Sequence, residues 1–328
     1  MIHRIPPGTR DVLPDEMREL RRLHASLLEV FERHGYGEVA TPAIEYDEVM
    51  ARGLGPSATA TYRFFGEQGE LLALRGDMTI PIARLVASRL AEAELPLRLC
   101  YVANAYRAIQ PGRGQLREFG QAGVELIGGE APAGTAEVVE VLEAALDAVG
   151  LSRAVIGLGD ADLYTQLLTE LGIAGAAREA ALNRLARHDL VGLEAAVAGV
   201  NGVSAETVGT LVALSQLRGG REVLDEARAL GGEAVERATA RIGETYEALE
   251  ERDAAGRVLI DLGLLRDLGY YSGAILEVYD PAVGYVIGGG GRYDELMARF
   301  GHDRPAAGFS LYLERLLLAQ MEEERLGR

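Results

Sequence analysis

Lysine is absent from this 328-residue chain, and all 33 basic residues are arginine. That absence excludes a Walker A phosphate loop and a lysine Schiff base to pyridoxal phosphate, since both need an ε-amino group. Cysteine is nearly absent too. Cys100 alone cannot form an internal disulfide, and with five scattered histidines it offers no zinc-ligand spacing. Cys100 is expected to be a small buried apolar residue, and neither a metal nor another cofactor is expected. No apolar run is long enough to cross a bilayer. The start, Met1-Ile2-His3-Arg4, runs into Pro6-Pro7-Gly8 without the apolar centre of a signal peptide, so a cytoplasmic location is expected. Positive charge is scarce against 50 acidic residues. A net charge of -17 repels a phosphate backbone, which disfavours nucleic acid as a partner.

What is present is ordinary for a folded, soluble protein: 48% hydrophobic and 25% charged residues. The period of apolar residues predicts a helix from Pro14 to about His34, stopped at Gly35, with Met17, Leu20, Leu27, Leu28 and Phe31 near helical spacing. A short strand at Glu38 to Pro42 precedes a largely polar segment as far as Glu70, and Leu71 to Leu74 resumes a strand. A helix from about Thr79 to Ala93 leads to a hairpin: strand Leu97 to Val102, a Gly- and Arg-rich tip from Gln110 to Arg117, and strand Phe119 to Ile127. A helix from about Thr135 to Val149 and a strand at Ala154 to Leu158 follow. Residues 162–253 read as almost wholly helical. Strands return at Val258 to Asp261, Ala274 to Tyr279 and Tyr285 to Ile287, before a closing helix through Leu311 to Glu324. The expected fold is α+β on a largely antiparallel sheet, with a core of residues 1–161 and 254–328 interrupted by a mainly helical insertion, 162–253.

Several motifs carry weight only in combination. Gly157 to Asp162 begins like a dinucleotide fingerprint but lacks the third glycine, so a plain strand-to-helix turn is expected. Gly288-Gly289-Gly290-Gly291 lets a backbone or a ligand approach closely, and the sequence leaves open which. Arg107 and Arg117 flank a tip containing Arg113, an arrangement suited to holding an anion with forked guanidinium contacts.

Five segments then occur in a telling order: Gly8 to Pro14, Gly35-Tyr36 to Thr41-Pro42, Tyr106-Arg107 to Gly123-Val124-Glu125, Arg266 to Tyr271, and Gly289 to Asp294 leading to Leu313-Glu314-Arg315. Together they resemble histidyl-tRNA synthetase, a class II aminoacyl-tRNA synthetase, over nearly its whole catalytic domain. The resemblance implies an antiparallel class II sheet flanked by helices, dimer formation near Thr41-Pro42, and a histidine pocket. In that pocket Asp77, Thr79 and Gln121 would receive the ammonium group and Arg266 the carboxylate. Glu125 and Tyr271 would bind the imidazole, with Arg107 and Tyr270 completing the set. Such a set is chemically coherent, because an amino acid needs an acidic partner, a cationic partner and polar groups matched to its side chain.

The departures from the synthetase are uneven. Ile109 stands where the second class II motif carries an ATP-binding glutamate, Gln115 where a phosphate-binding arginine is usual, and Tyr312 where the third motif has a glycine. On the amino-acid side Thr79, Gln121, Glu125, Arg266 and Tyr271 agree, and Asp77 is one methylene shorter than the synthetase glutamate. The sequence also leaves no room after Arg315 for an anticodon-binding domain, so tRNA is not an expected partner. A second family has these traits: the regulatory subunits of short-form ATP phosphoribosyltransferase, which the Arg75-Gly76-Asp77-Met78-Thr79 segment resembles, with Gly76 in place of the usual proline. That resemblance implies a non-catalytic, histidine-sensing subunit of histidine biosynthesis. It would dimerise and join a catalytic subunit in a hetero-oligomer, a hetero-octamer in that family. The alternative is a free-standing histidine-activating adenylate-forming ligase, since Arg107, Arg266 and Arg315 are all present.

Overall fold

The computed structural model describes residues 4–54, 61–109, 116–197, 200, 203–265 and 269–327. Its first helix, α1 (Pro14–Arg33), has Pro14 in the first turn followed by Asp15 and Glu16, which suit the positive end of a helix dipole. Leu20, Leu23, Leu27, Val30 and Phe31 recur on one face and are buried. Gly35 turns the chain out of the helix with φ +81°, a conformation favourable mainly to glycine.

The segment expected to be largely polar holds more structure than its composition suggests. After β1 (Gly37–Glu38) come β2 (Ile44–Tyr46), α2 (Asp47–Leu54), β3 (Arg63–Phe65) and β4 (Leu71–Leu74). β2, β4 and β3 form a small antiparallel sheet. These strands are too short for a period to show in the sequence. Next come α3 (Thr79–Arg89), the long hairpin β5 (Leu97–Tyr106) and β6 (Glu118–Ile127), α4 (Ala133–Ala148) and β7 (Val155–Asp160). Between β7 and the later β9 lie α5 (Leu163–Glu170), α6 (Gly175–Leu185), α7 (Leu190–Val197), α8 (Ala205–Gln216), β8 (Arg218–Gly219), α9 (Glu222–Ala229) and α10 (Glu233–Glu250). The chain closes with β9 (Val258–Asp261), β10 (Ala274–Asp280), β11 (Tyr285–Arg292), α11 (Asp294–Arg299), β12 (Ala306–Tyr312) and α12 (Leu313–Leu326).

The large sheet runs β1-β5-β6-β12-β11-β10-β7-β9-β8 and is antiparallel except at β1/β5 and β7/β9. This is an α+β, class II synthetase-like sheet flanked by helices. The expected closing helix from Leu311 starts two residues later, because Ala307, Phe309 and Leu311 alternate with Gly308, Ser310 and Tyr312 at strand period and make β12. The four glycines belong to β11, two strand partners deep in the sheet.

Period two also decides which face each residue serves. On β6, Ala122, Val124 and Leu126 join the apolar core that includes buried residues of α1, α4 and α12. Gln121, Gly123 and Glu125 therefore point to the opposite face, where α2, α3 and α11 enclose a second apolar core around Met78, Ile80, Tyr101 and Tyr293. The cleft described below opens on that second face. Among the described residues no helix is long and apolar enough to cross a membrane, and no group of three or more His, Cys, Asp or Glu side chains could hold a metal.

Candidate functional site

β6 and β12 run antiparallel with Gln121 opposite Tyr312 and Glu125 opposite Gly308, while β11 places Gly289 opposite Ser310. The three strands form the floor of a cleft whose walls come from Asp77 and Thr79 at the start of α3, Tyr101 of β5, Arg107 beyond β5, and Tyr270, Tyr271 and Tyr293. It is a narrow cleft, with about 360 Å³ of empty space counted out through its open mouth. Six of the eight residues expected to bind histidine line it: Asp77, Thr79, Arg107, Gln121, Tyr270 and Tyr271. Glu125 joins through Thr79, whose hydroxyl donates to its Oε1 at 2.8 Å. Arg266 lies outside the described residues.

Glu125 is 1% exposed, and burial pushes its carboxyl up to about 8 although hydrogen bonds from Tyr293 and Thr79 oppose the shift. Tyr293 donates its phenol to Oε2 in a short contact. Asp77 is buried as well, and desolvation raises its pKa. It accepts from the Ile80 amide at 3.1 Å, which fixes the first turn of α3, and its carboxylate also meets Tyr270. Gln121 donates from Nε2 to Ser310 Oγ at 3.3 Å, while its Oε1 is buried without a hydrogen-bond partner. An orphaned buried acceptor costs about 1–3 kcal/mol. A donor entering the cleft would relieve that cost. The Asp77 carboxyl and the orphaned Gln121 oxygen at the cleft, with the Glu125 carboxyl behind Thr79, suit a small cationic group carrying several N–H donors.

Gly289 opens onto the cleft, while Gly290 serves packing: a Cβ there would lie 2.0 Å from Gly308 O. The glycine run thus packs against β12 and also reaches the lining of the cleft. Sequence reasoning assigned no role to Tyr101, Tyr293 or Ser310. Tyr293 stands in the Gly289 to Asp294 segment, but nothing local indicates that its phenol reaches a carboxylate 168 residues earlier.

The adjoining space, lined by Arg107, Ile109, Leu116, Phe119, Tyr312, Glu314 and Arg315, is where class II resemblance places a nucleotide. Tyr312 lies on its wall. The ring meets Phe119 edge-on at 5.6 Å between centroids, and the Arg107 and Arg315 guanidiniums lie 5.9 and 4.7 Å from its centre. Arg315 also lies over Tyr285 at 5.6 Å and donates to Val286 O. Desolvation works against the charge of Arg107, but Tyr312, Asp77 and Tyr270 more than offset it and raise its pKa. Ile109 adds an apolar wall where a carboxylate would hold ATP. Gln115 and Arg113 lie outside the described residues.

Arg117 donates from Nε to Ile109 O at 2.8 Å and from Nη1 to Pro7 O at 3.2 Å, so it fastens the N-terminal segment to the hairpin. Arg75 is similarly spent on the carbonyls of Asn104, Thr41 and Pro42. Both guanidiniums satisfy backbone carbonyls, that of Asn104 at the end of β5 and the others in loops.

The geometry agrees with comparison to known proteins. The family profile described as histidyl-tRNA synthetase matches residues 8–316. The ATP phosphoribosyltransferase regulatory subunit of Moorella thermoacetica is 42% identical over 321 residues, 97% of this chain and 82% of that protein. Its namesake from Symbiobacterium thermophilum is 42% identical over 98% of this chain and 81% of its own length. Among solved structures, an ATP phosphoribosyltransferase regulatory subunit/histidyl-tRNA synthetase from Bacillus halodurans superposes with TM-score 0.88 at 34% identity, covering 98% of this chain and 84% of that one. A histidine-tRNA ligase subunit from Alicyclobacillus acidocaldarius gives 0.86 at 32%, covering 99% of both. The chain therefore belongs to the histidyl-tRNA synthetase family, on the branch of proteins named ATP phosphoribosyltransferase regulatory subunits.

Proposed function

We propose that this chain binds L-histidine in the acidic cleft and, as a non-catalytic subunit, sets the activity of a separate short-form ATP phosphoribosyltransferase chain, the first step of histidine biosynthesis. The observation that carries this reading is the contrast between two adjoining spaces. The amino-acid space has Asp77 and Gln121 in its lining with Glu125 reached through Thr79, whereas the nucleotide space is open but carries the phenol of Tyr312 beside two arginines and the apolar Ile109 where a class II enzyme would hold ATP with a carboxylate. An aminoacyl-adenylate needs ATP against the β12 strand, so the same residues that hold histidine would hold it as a ligand and not as a substrate. Feedback then requires only that bound histidine favour one state of the assembly over another by differential affinity.

The decisive experiment mixes the chain with a short-form catalytic subunit and follows phosphoribosyl transfer to ATP with increasing L-histidine. Activity is expected only with both chains and is expected to fall as histidine rises. Robust histidine-dependent pyrophosphate exchange into ATP by this chain alone would instead establish the adenylate-forming ligase.

Self-association belongs to the same proposal. Ile44, Tyr46 and Phe64 share one face of the small sheet and are exposed, Tyr46 at 55%, beside the Thr41-Pro42 segment that Arg75 holds in place. A contiguous apolar patch of this kind marks a contact surface. Tyr46→Glu is expected to shift the isolated chain from dimer to monomer in sedimentation velocity. An unchanged sedimentation coefficient would place the dimer contact elsewhere.

A further inference from the structure

The tyrosine segment at the ring end of the cleft is fastened from two sides. From the core, Arg299 donates to Gly269 O at 2.8 Å, the Ser272 amide donates to Arg292 O at 2.9 Å, and the Asp294 amide donates to Ser272 Oγ at 3.0 Å. From the other side, Gly273 is held twice: its amide donates to Asp162 Oδ2 at 3.2 Å, and its carbonyl accepts from the Ala161 amide at 2.7 Å. Gly273 turns the chain at φ +67°, and Asp162 thereby grips it two residues beyond Tyr271.

Asp162 occupies the N-cap position of α5, where an aspartate ordinarily accepts from the helix's own first amides. Its side chain makes no such bond and is turned to Gly273 instead. Behind it, Asp160 is fully buried and takes a two-pronged contact from Arg241 of α10, Nε to Oδ2 and Nη2 to Oδ1, both at 2.8 Å. Asp160 Oδ1 also accepts the Asp162 amide at 3.0 Å, and Arg241 Nη2 lies 3.9 Å from Asp162 Oδ2. One guanidinium thus faces two carboxylates on the segment that grips Gly273. A forked arginine contact of this kind fixes orientation as well as distance. A displacement of α10 would move Arg241, then residues 160–162, then Gly273 and the tyrosines.

We propose that Asp162, held by Arg241, is a positioning residue for Tyr271, and that this relay lets the helices between β7 and β9 set the affinity of the cleft for imidazole-bearing ligands. The inference rests on the reading of the cleft as a histidine site. It goes further by naming the element through which that site is tuned and the residues that carry the coupling.

The test compares wild type, Asp162→Ala, Asp162→Asn and Arg241→Lys, with L-histidine and L-histidinol titrated calorimetrically into the full chain. Losing the hydrogen bond that seats the ring contact is expected to weaken both ligands about tenfold in Asp162→Ala. The two losses should be equal, because both ligands carry the imidazole and the amine and differ only at the carboxylate. Asp162→Asn keeps the acceptor for Gly273 and is expected to restore affinity to about threefold of wild type, while Arg241→Lys, which cannot fork, should fall between. Hydrogen exchange at residues 269–273 should quicken in Asp162→Ala with the global melting midpoint unchanged. If wild type binds histidine and Asp162→Ala binds it equally well, the relay is refuted and the histidine site stands. If asparagine fails to rescue and the melting midpoint falls with affinity, Asp162 is merely structural and the inference is overturned. Absence of histidine binding by wild type removes the site and the relay with it.

Discussion

Glu125→Gln is expected to weaken L-histidine binding about 30-fold or more while leaving the empty protein folded. In the empty cleft the Glu125 carboxyl is pushed up to about 8 by burial, so near pH 7 it is mostly protonated. Glutamine closely matches that neutral form in shape, and Tyr293 and Thr79 carry hydroxyls able to rotate toward either amide atom. The melting midpoint should therefore hardly change near neutral pH. Binding behaves differently, because an imidazole N–H in this dry site gains most from an ionised acceptor. Removing one member of a buried, hydrogen-bonded charged contact costs about 2–5 kcal/mol, roughly 30-fold or more in affinity. The same group predicts a proton linkage. Its folded pKa lies above the ordinary glutamate value of 4.5, so the empty protein binds a proton that the unfolded chain releases, and stability from this group falls as pH rises from about 4.5 through 8. A ligand that favours the ionised form must expel that proton. Calorimetry at pH 7 in phosphate and in Tris should give binding enthalpies that differ for wild type and coincide for Glu125→Gln. Wild-type affinity in the variant would remove Glu125 from the ring contact.

Gly308→Ala is the second large effect, and it acts on stability and site at once. A Cβ at Gly308 would lie 2.0 Å from Glu125 Oε2 and 2.4 Å from Val124 O. The carboxylate could swing aside only by leaving Tyr293 and Thr79, and the carbonyl belongs to β6, which cannot retreat without parting from β12. Overpacking a well-filled interior costs about 1–3 kcal/mol and occasionally more. Backbone collision in mid-sheet places this case at the upper end, so a melting midpoint at least about 5 °C lower is expected by scanning calorimetry. Histidine binding should be lost even below the melting transition, because the methyl occupies the space of the Glu125 carboxylate. An alanine variant that melts and binds like wild type would show that β12 can shift freely against β6.

Much of the fold and of the cleft is legible in the amino-acid sequence. The successive segments around Arg107, Glu125, Tyr271 and Arg315 point to the family and the α+β sheet, and six of the eight anticipated ligand residues line one cleft. The small sheet β2-β4-β3 is not legible, because three- and four-residue strands are too short to display a period. The junction of β12 and α12 is blurred because Leu311, Leu313 and Leu316 continue an apolar pattern across the point where strand gives way to helix. Helical spacing identifies α12 only beyond that boundary.

By itself the sequence settled the exclusions, through its lack of lysine, and the identities of the groups available to a ligand. Period two along β6 fixed that Gln121 and Glu125 share a face whatever lies opposite. Only the tertiary structure decided what that face meets. Gln121 reaches Ser310 189 residues away, Tyr293 reaches Glu125, and Tyr312 lies between Arg107 and Arg315. It likewise spent Arg117 and Arg75 on backbone carbonyls and turned Asp162 from helix cap to clamp. The physical reason is that periodicity is a local property of the backbone, whereas desolvation, partner choice and pKa depend on which distant strands become neighbours.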